Sequence, residues 1–403
     1  MNGTIYMPVG EVCSSISDTY REKKNMVTLI NTSDVLEGRV LNHERVPNSN
    51  LKGQFKKTFQ RDDILYSEIR PQNRRFAYVD FSPIDYIAST KLMVIRAKKD
   101  VVSPKYLYYF LKNSSTVAEL QLLAETRSGT FPQITFSEVA NLTIPVPSLA
   151  VQEVIVQTMQ CLEDKITCNE QINDNLAKTI KAVFKSWFLD FDAFDGVELV
   201  QSQYGLIPNG WHYELLGNLC DCVTKGTTPT TLGKDFTDTG INFIKGESIN
   251  DDHSFNKTLF AHIDDETDEL LKRSRIYVND IVFTIAGTLG KFALVDGSVI
   301  PANTNQAVAI IRTSKIMPAM LYSYFIGEWQ VEFYKRNTQQ AVQANLSLGT
   351  IKDLPILLPD SKGQDHYMQL VTPLIVGMQN NFSEIERLYE LQNQLLARLS
   401  SSR

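Results

Sequence analysis

The stretch DIVFTIAGTLGKFALVD, Asp280–Asp296, has a counterpart earlier in the chain, DILYSEIRPQNRRFAYVD, Asp63–Asp80. Both start with Asp-Ile and an apolar strand, break in a polar turn, and resume with Phe-Ala and a short run to Asp. The likeness extends outward in both directions. Val94-Ile95-Arg96 returns as Ile310-Ile311-Arg312, an offset of 216. SPKYLYYFL (Ser103–Leu111) returns as MPAMLYSYF (Met317–Phe325), an offset of 214. The segment ending at Pro147 returns in the one ending at Pro359, offset 212, and VGEVC (Val9–Cys13) returns as LGNLC (Leu216–Cys220), offset 207. Four blocks in one unchanging order make the chain two copies of a unit of about 200 residues, far longer than a solenoid repeat.

Each copy divides into two parts. In the first part, NMVTLINTSDV, KLMVIRA, GINFIKGESIN and AVAIIRT read as strands, and SPKYLYYFLKN and MPAMLYSYFIGE read as helices that start at Pro. This predicts an α+β globular domain with a β-rich core. The second part is a long helix. From Ser148 to Phe188 there is no Gly or Pro. Seam positions recur at Leu162, Ile166, Asn169, Asn173, Leu176, Ile180, Val183 and Trp187, and in the second copy at Leu374, Met378, Asn381, Ile385, Leu388, Gln392, Leu395 and Leu399. Spacings of alternately four and three predict a mutual pair of helices, and the buried polar Asn169 and Asn381 would fix its register. A helix of this kind is roughly 60 Å long. Run antiparallel, two of them would separate two like domains related by a two-fold axis, as suits a duplex with a helical repeat of about 34 Å.

The composition sets limits. A chain of 403 residues with 43% hydrophobic and 21% charged residues has the make-up of an ordinary soluble globular protein of two or three domains. No basic-then-apolar leader and no spanning apolar run is expected. Cys13, Cys161, Cys168, Cys220 and Cys222 are sparse and irregular, which predicts free thiols in a reducing cytoplasm and no metal site. An amino-methyltransferase needs a Pro-Pro-aromatic motif, and the chain contains no Pro-Pro. No spaced carboxylates with Lys mark a nuclease, and no nucleophile–base pair stands out. Catalysis is therefore expected in other chains.

The two-copy order resembles the specificity subunit of type I restriction–modification systems. So do the run FKSWFLDFDAF (Phe184–Phe194), the segment IPNGWHYELLGNLC (Ile207–Cys220) and the turn FTIAGTLGKFALV. The resemblance covers the whole chain. It implies two β-rich target recognition domains, residues 1–147 and 205–359, joined by two long antiparallel coiled-coil helices, residues 148–195 and 360–403, in a pseudo-two-fold repeat. Each domain would read one half of a bipartite site in double-stranded DNA. The helices would dock two methyltransferase subunits and, through them, restriction motor-nuclease subunits. S-adenosylmethionine, ATP and Mg would be held by those partner chains only, and none by this one. A coiled-coil protein adaptor and a single-chain restriction–methylation enzyme remain as other readings.

On this reading the shared frame is the reader's fold, and the altered middle is where two readers must differ. AGTLGK (Ala286–Lys291) matches the family's glycine-containing turn; the first copy, EIRPQNRR (Glu68–Arg75), lacks both glycines, which weakens the case for one common backbone contact. It offers Arg70, Gln72, Asn73, Arg74 and Arg75, residue types that pair with guanine or adenine edges. Net charge is −6, but residues 1–148 carry nineteen Lys and Arg against fifteen Asp and Glu, whereas 205–360 carry thirteen against eighteen. Lys23, Lys24, Lys52, Lys56, Lys57 and Arg61 are further DNA-contact candidates in the first reader. In the second they are Lys225, Thr227, Thr228, Lys234, Lys245, Thr288 and Lys291, with the acidic run His262–Glu269 expected to face away. Trp187, Phe188, Phe191 and Phe194 have two open roles, completing a core or docking a methyltransferase, and the neighbouring aspartates favour the dock.

Overall fold

The computed structural model describes residues 4–49, 53–126, 132–194, 196–329, 331 and 346–400. The chain separates into two compact units, residues 1–167 with 386–403, and residues 168–385.

The first unit contains β1 (Cys13–Ile16), β2 (Met26–Ile30), β3 (Val46–Pro47), β4 (Phe55–Lys57), β5 (Ile64–Ser67), β6 (Phe76–Tyr78), β7 (Tyr86–Ser89) and β8 (Leu92–Ala97). They form two four-stranded sheets, β1-β8-β5-β6, antiparallel throughout, and β3-β2-β7-β4, in which β2 and β7 are parallel. The helices α1 (Pro104–Lys112) and α2 (Ser114–Glu125) follow. The second unit contains β9 (Cys220–Lys225), β10 (Ile241–Ile244), β11 (Ala261–Ile263), β12 (Ile281–Thr284), β13 (Phe292–Leu294), β14 (Ala302–Thr304) and β15 (Val308–Thr313). Its sheet β9-β15-β12-β13 repeats the order of β1-β8-β5-β6, and its parallel pair β10/β14 repeats β2/β7. The two-copy pattern in the sequence is thus one fold made twice. β5, β12 and most of β8 and β15 are buried on both faces, which is why they read as unbroken apolar runs rather than alternating ones.

The repeated VGEVC and LGNLC have a packing cause. Val9 N donates to Leu142 O at 2.8 Å and Leu216 N to Leu354 O at 2.9 Å, the same repeat positions. These bonds press one short helix against another. A Cβ on Gly10 would meet the Ala140 Cβ at 2.9 Å, and one on Gly217 the Lys352 Cβ at 3.0 Å. A second shared anchor is one strand carbonyl: Tyr106 OH donates to Pro145 O at 2.8 Å, and Tyr324 OH, on α4 (Pro318–Ile326), donates to Leu357 O. The two tyrosines sit one helical turn apart in the repeat yet reach equivalent carbonyls.

The long helices are α3 (Leu149–Lys185) and α5 (Ser361–Ser400), of 37 and 40 residues. Within the second unit, Asn169 Nδ2 donates to Glu384 Oε2 at 2.7 Å, and Asn381 Nδ2 to Asn173 Oδ1 at 2.8 Å. Asn173 Nδ2 reaches Met378 O at 3.3 Å. Ile180 and Phe184 share a core with Val371, Ile375 and Met378. Within the first unit, Gln392 Nε2 donates to Glu163 Oε1 at 3.3 Å, and Val156 and Met159 pack in one cluster with Leu395 and Leu396. As one helix advances the other recedes, so the pairing is antiparallel in each unit. The predicted seam residues Ile166, Asn169, Ile180 and Met378 are buried. Leu162, Leu176, Val183, Leu374, Asn381, Ile385, Leu388 and Leu395 are half-buried. Among the described residues no helix is long and apolar enough to cross a membrane.

Candidate nucleic-acid interface

The two altered middles occupy the same place. β5 and β6 pair with Tyr66 opposite Phe76, and β12 and β13 with Phe283 opposite Phe292. Ser67 N donates to Arg75 O and Thr284 N to Lys291 O, both at 2.8 Å. Gly290, two residues before Phe292, has φ +89°, and Arg74, two residues before Phe76, has φ +51°. The first copy therefore keeps the left-handed step without glycine. That costs about 1 kcal/mol or more for a residue with a Cβ, and neighbouring contacts offset it. Arg74 Nη2 donates to Ser114 Oγ at 2.8 Å, Glu37 N to Arg74 O at 2.9 Å, and Gln72 N to Gln121 Oε1 of α2 at 3.2 Å. The turn is fixed by side chains where the second copy uses glycine.

In the first unit, hydrogen bonds draw several loop ends around this turn. Arg75 Nη1 donates to Ser33 O at 3.0 Å, Glu68 N to Lys91 O at 3.0 Å, and Thr90 N to Gln54 O at 2.7 Å. Arg70, Gln72, Asn73, Lys56 and Lys91 are exposed here, while Arg74 and Arg75 are half-buried. Three candidates are not part of this cluster. Lys23 and Lys24 precede the start of β2 and Arg61 precedes the start of β5, at the strand ends away from the turn. Lys57 is turned inward: Nζ donates to Thr90 O at 3.0 Å and Leu92 O at 2.7 Å, and burial lowers its pKa. Its ammonium closes strand ends and is not presented to a phosphate. Lys52 lies outside the described residues.

In the second unit the corresponding end is joined by similar bonds. Gly226 N donates to Asn305 O at 3.0 Å, Thr228 Oγ1 to Gln306 Oε1 at 2.6 Å, Thr304 Oγ1 to Ile244 O at 2.7 Å, and Ile285 N to Ala307 O at 2.8 Å. This gathers Lys225, Thr227, Thr228, Lys245, Thr288 and Lys291. Lys225 is exposed and has no ion-pair partner among the described residues. Lys245 Nζ lies 4.6 Å from the centre of the Phe236 ring. Lys291 Nζ lies 3.0 Å from Asp251 Oδ1. Lys234 Nζ lies 2.7 Å from Glu266 Oε1, so the acidic run, expected to face away from DNA, is bonded to one of the candidate contact lysines. Elsewhere that run is neutralised by Arg275, 2.6 Å from both Asp268 and Glu269. Asp251 and Lys91 belong to these ends and escaped sequence reasoning; the available signal was their place in the short turns NDDHS and STKL, beside a strand end. Among the described residues no three His, Cys, Asp or Glu side chains could hold a metal ion.

The aromatic run has a different placement. After Lys185, Ser186–Asp190 form a π turn, ended by Phe191 at φ +58°. The widened turn lets both Trp187 and Phe188 point inward, and both are buried. Trp187 packs on Tyr367 at 5.2 Å between ring centres, and Phe188 on Tyr324 and Tyr367, each at 4.8 Å. Phe191 and Phe194 are half-buried and lie edge-on to Trp211. Asp190, Asp192 and Asp195 beside them favour a dock in the sequence; Asp190 and Asp192 are exposed and Asp195 lies outside the described residues, but the buried indole and phenyl join the helix end to the core of the second unit.

Comparison with known proteins places this geometry in context. The family described as "Type I restriction modification DNA specificity domain" matches residues 6–178 and again residues 208–386. The chain is 29% identical to the type I restriction enzyme HindI specificity subunit of Haemophilus influenzae, over 93% of each chain. It is 25% identical to the MjaIX specificity subunit of Methanocaldococcus jannaschii, over 79% of this chain and 74% of that one. A solved chain from a study of "complex assembly and conformational transition of the type I R-M system" has the same fold, with TM-score 0.50 and 17% identity over 99% of this chain and 98% of that one.

Proposed function

Because the chain belongs to the type I restriction–modification DNA specificity family, we propose that it reads a split DNA target, one half with each reader. It is a DNA-sequence-recognition subunit of a type I restriction–modification complex. The observation that carries the split-target reading is the pair of congruent readers whose turns, Glu68–Arg75 and Ala286–Lys291, hold one backbone step but present different side chains. A common frame docks both readers alike, and unlike turns read unlike bases.

In this reading Arg70, Gln72, Asn73, Lys56, Lys225, Thr227, Thr228, Lys245, Thr288 and Lys291 meet DNA. Lys23, Lys24 and Arg61 sit apart from that cluster and at most steer the duplex by charge. The helices, about 56 and 60 Å long at 1.5 Å per residue, set the unread gap. Their outer faces dock two methyltransferase subunits, and restriction subunits join through these. The chain itself is non-catalytic; S-adenosylmethionine, ATP and Mg are bound by the partners. Tethering two modest readers multiplies their selectivity, so a mildly acidic second reader is workable.

A genome-wide adenine-methylation map, with and without the gene, tests this. Loss of one split motif on deletion is expected, and exchanging residues 1–147 changes one half only. An unchanged map in cells that express the chain and its neighbours overturns the reading.

A further inference from the structure

The Asp251–Lys291 pair stands out at the loop end of the second reader. Asp251 is 88% exposed and Lys291 24% exposed, with 3.0 Å between Oδ1 and Nζ. The carboxylate is set by a built turn. Asn250 N donates to Ser254 O at 3.0 Å, Asn250 Nδ2 to Ser254 Oγ at 2.9 Å, and His253 N to Asn250 O at 3.3 Å. His253, at φ +71°, stacks its ring on Phe292 at 4.1 Å between centres, and Phe292 is the residue after Lys291. Asp251 therefore has a fixed place beside Lys291 and beside the turn at Thr288.

An exposed ion pair contributes little stability of its own, on the order of 0–1 kcal/mol, so stability does not explain this arrangement. A carboxylate that meets DNA phosphates is repelled by them. It is useful at such a face only against a hydrogen-bond donor, and the major groove offers two, the adenine N6 and cytosine N4 amino groups; adenine N6 stands beside the acceptor N7, which suits an amide, whereas cytosine N4 suits a carboxylate. The guanine of the same pair presents O6 and N7, which accept from a lysine. A carboxylate and an ammonium side by side complement one C·G pair. In the first reader the charged pair at the loop end is inverted: Lys91 Nζ lies 3.5 Å from Glu68 Oε2, with the ammonium 50% exposed and the carboxylate 21%. Arg75, at the repeat position of Lys291, donates to Ser33 O and Val35 O and faces backbone carbonyls.

Resting on the split-target reading above, we propose that Asp251, with Lys291, is a base-reading pair that selects a C·G pair in the half-site read by residues 205–359. The test is a methylation map from cells carrying the partner subunits and the full chain as wild type, Asp251→Asn or Asp252→Asn. Asp251→Asn is expected to relax one C·G position in that half by about 5- to 150-fold, the range for one base contact. The other half and the gap are unchanged, and Asp252→Asn, an equal charge change one residue away, leaves the motif intact. Uniform change at all sites, no change, or equal relaxation by Asp252→Asn overturns the proposal. A wild-type map without a split motif overturns the split-target reading itself, so the two failures are distinguishable.

Discussion

Arg312 grips Asp280 through two parallel hydrogen bonds, Nε to Oδ1 and Nη2 to Oδ2, both at 2.7 Å. Arg96 and Asp63 repeat the fork at 2.8 Å. Asp63 and Asp280 are buried, and each also caps a turn, accepting from Gln60 N and from Tyr277 N. The carboxylates raise the pKa of both arginines. Removing one partner leaves a buried charge uncompensated. Arg312→Ala is expected to destabilise the second unit by roughly 3 kcal/mol, and Arg312→Lys by less because a charge survives without the fork. Urea unfolding of the full chain checks both; an Arg312→Ala midpoint equal to wild type counts against the fork as a structural lock.

Trp187→Ala is expected to cost about 3–5 kcal/mol, the range for emptying an aromatic site in a core. Phe191→Ala, at a half-buried ring, should cost much less. Thermal melts of the two variants separate core closure from surface docking: a folded, undestabilised Trp187→Ala protein would return this indole to the docking surface.

Gly10→Ala is expected to cost about 1–3 kcal/mol by overpacking against Ala140. Combining it with Ala140→Gly should recover most of the loss. Melting temperatures of the two singles and the double give the answer, and additive losses would mean the close approach is not the cause.

Asn173 and Asn381 form a polar pair on the helix seam. Asn173→Leu takes the Oδ1 acceptor from Asn381 Nδ2, and Asn381→Leu takes the donor from Asn173 Oδ1, each at about 1–3 kcal/mol. The double change should lose less than the sum of the singles, with coupling of about 1 kcal/mol. A double-mutant cycle by chemical denaturation measures that coupling, and zero coupling would show that the pair does not set the seam.

Burial holds the His253 imidazole below its ordinary pKa, against the opposing pull of Asp252 and Asp251. As pH falls through the unfolded value near 6.5, the unfolded chain takes up a proton that the folded chain refuses. Stability therefore falls with falling pH, from about 6.5 down to the depressed folded value. Comparing urea midpoints at pH 7.5 and 5.5 should show a smaller drop in His253→Phe than in wild type; equal drops would place the acid sensitivity elsewhere.

The readable features of the chain are those that act over short distances or recur. Asp63-Ile and Asp280-Ile announced the repeat, and each aspartate is the buried half of a fork whose other half, Arg96 or Arg312, closes a matching strand. Gly10 and Gly217 recur because two short helices touch there. The four-and-three spacing of Ile166, Asn169 and Ile180 with Met378 and Asn381 marked the helix seam, since helical periodicity is local. Burial and pairing were not legible in this way. Nothing near Lys57 in sequence says that its ammonium ties off β7 and β8, and the aspartates around Trp187 pointed to a surface that the π turn does not provide. Arg74 adopts glycine's conformation because Ser114 and Glu37, both about 40 residues away, hold it there. Pro373 lies inside α5, which continues through it because Val371, Ile375 and Met378 are packed on its other side. The sequence by itself determined the two-copy order, the strand and helix types and the paired helices, because these follow from periodicity and repetition. Only the tertiary structure decided which cations face outward and which carboxylate stands beside Lys291, because those depend on hydrogen bonds between segments far apart in the chain.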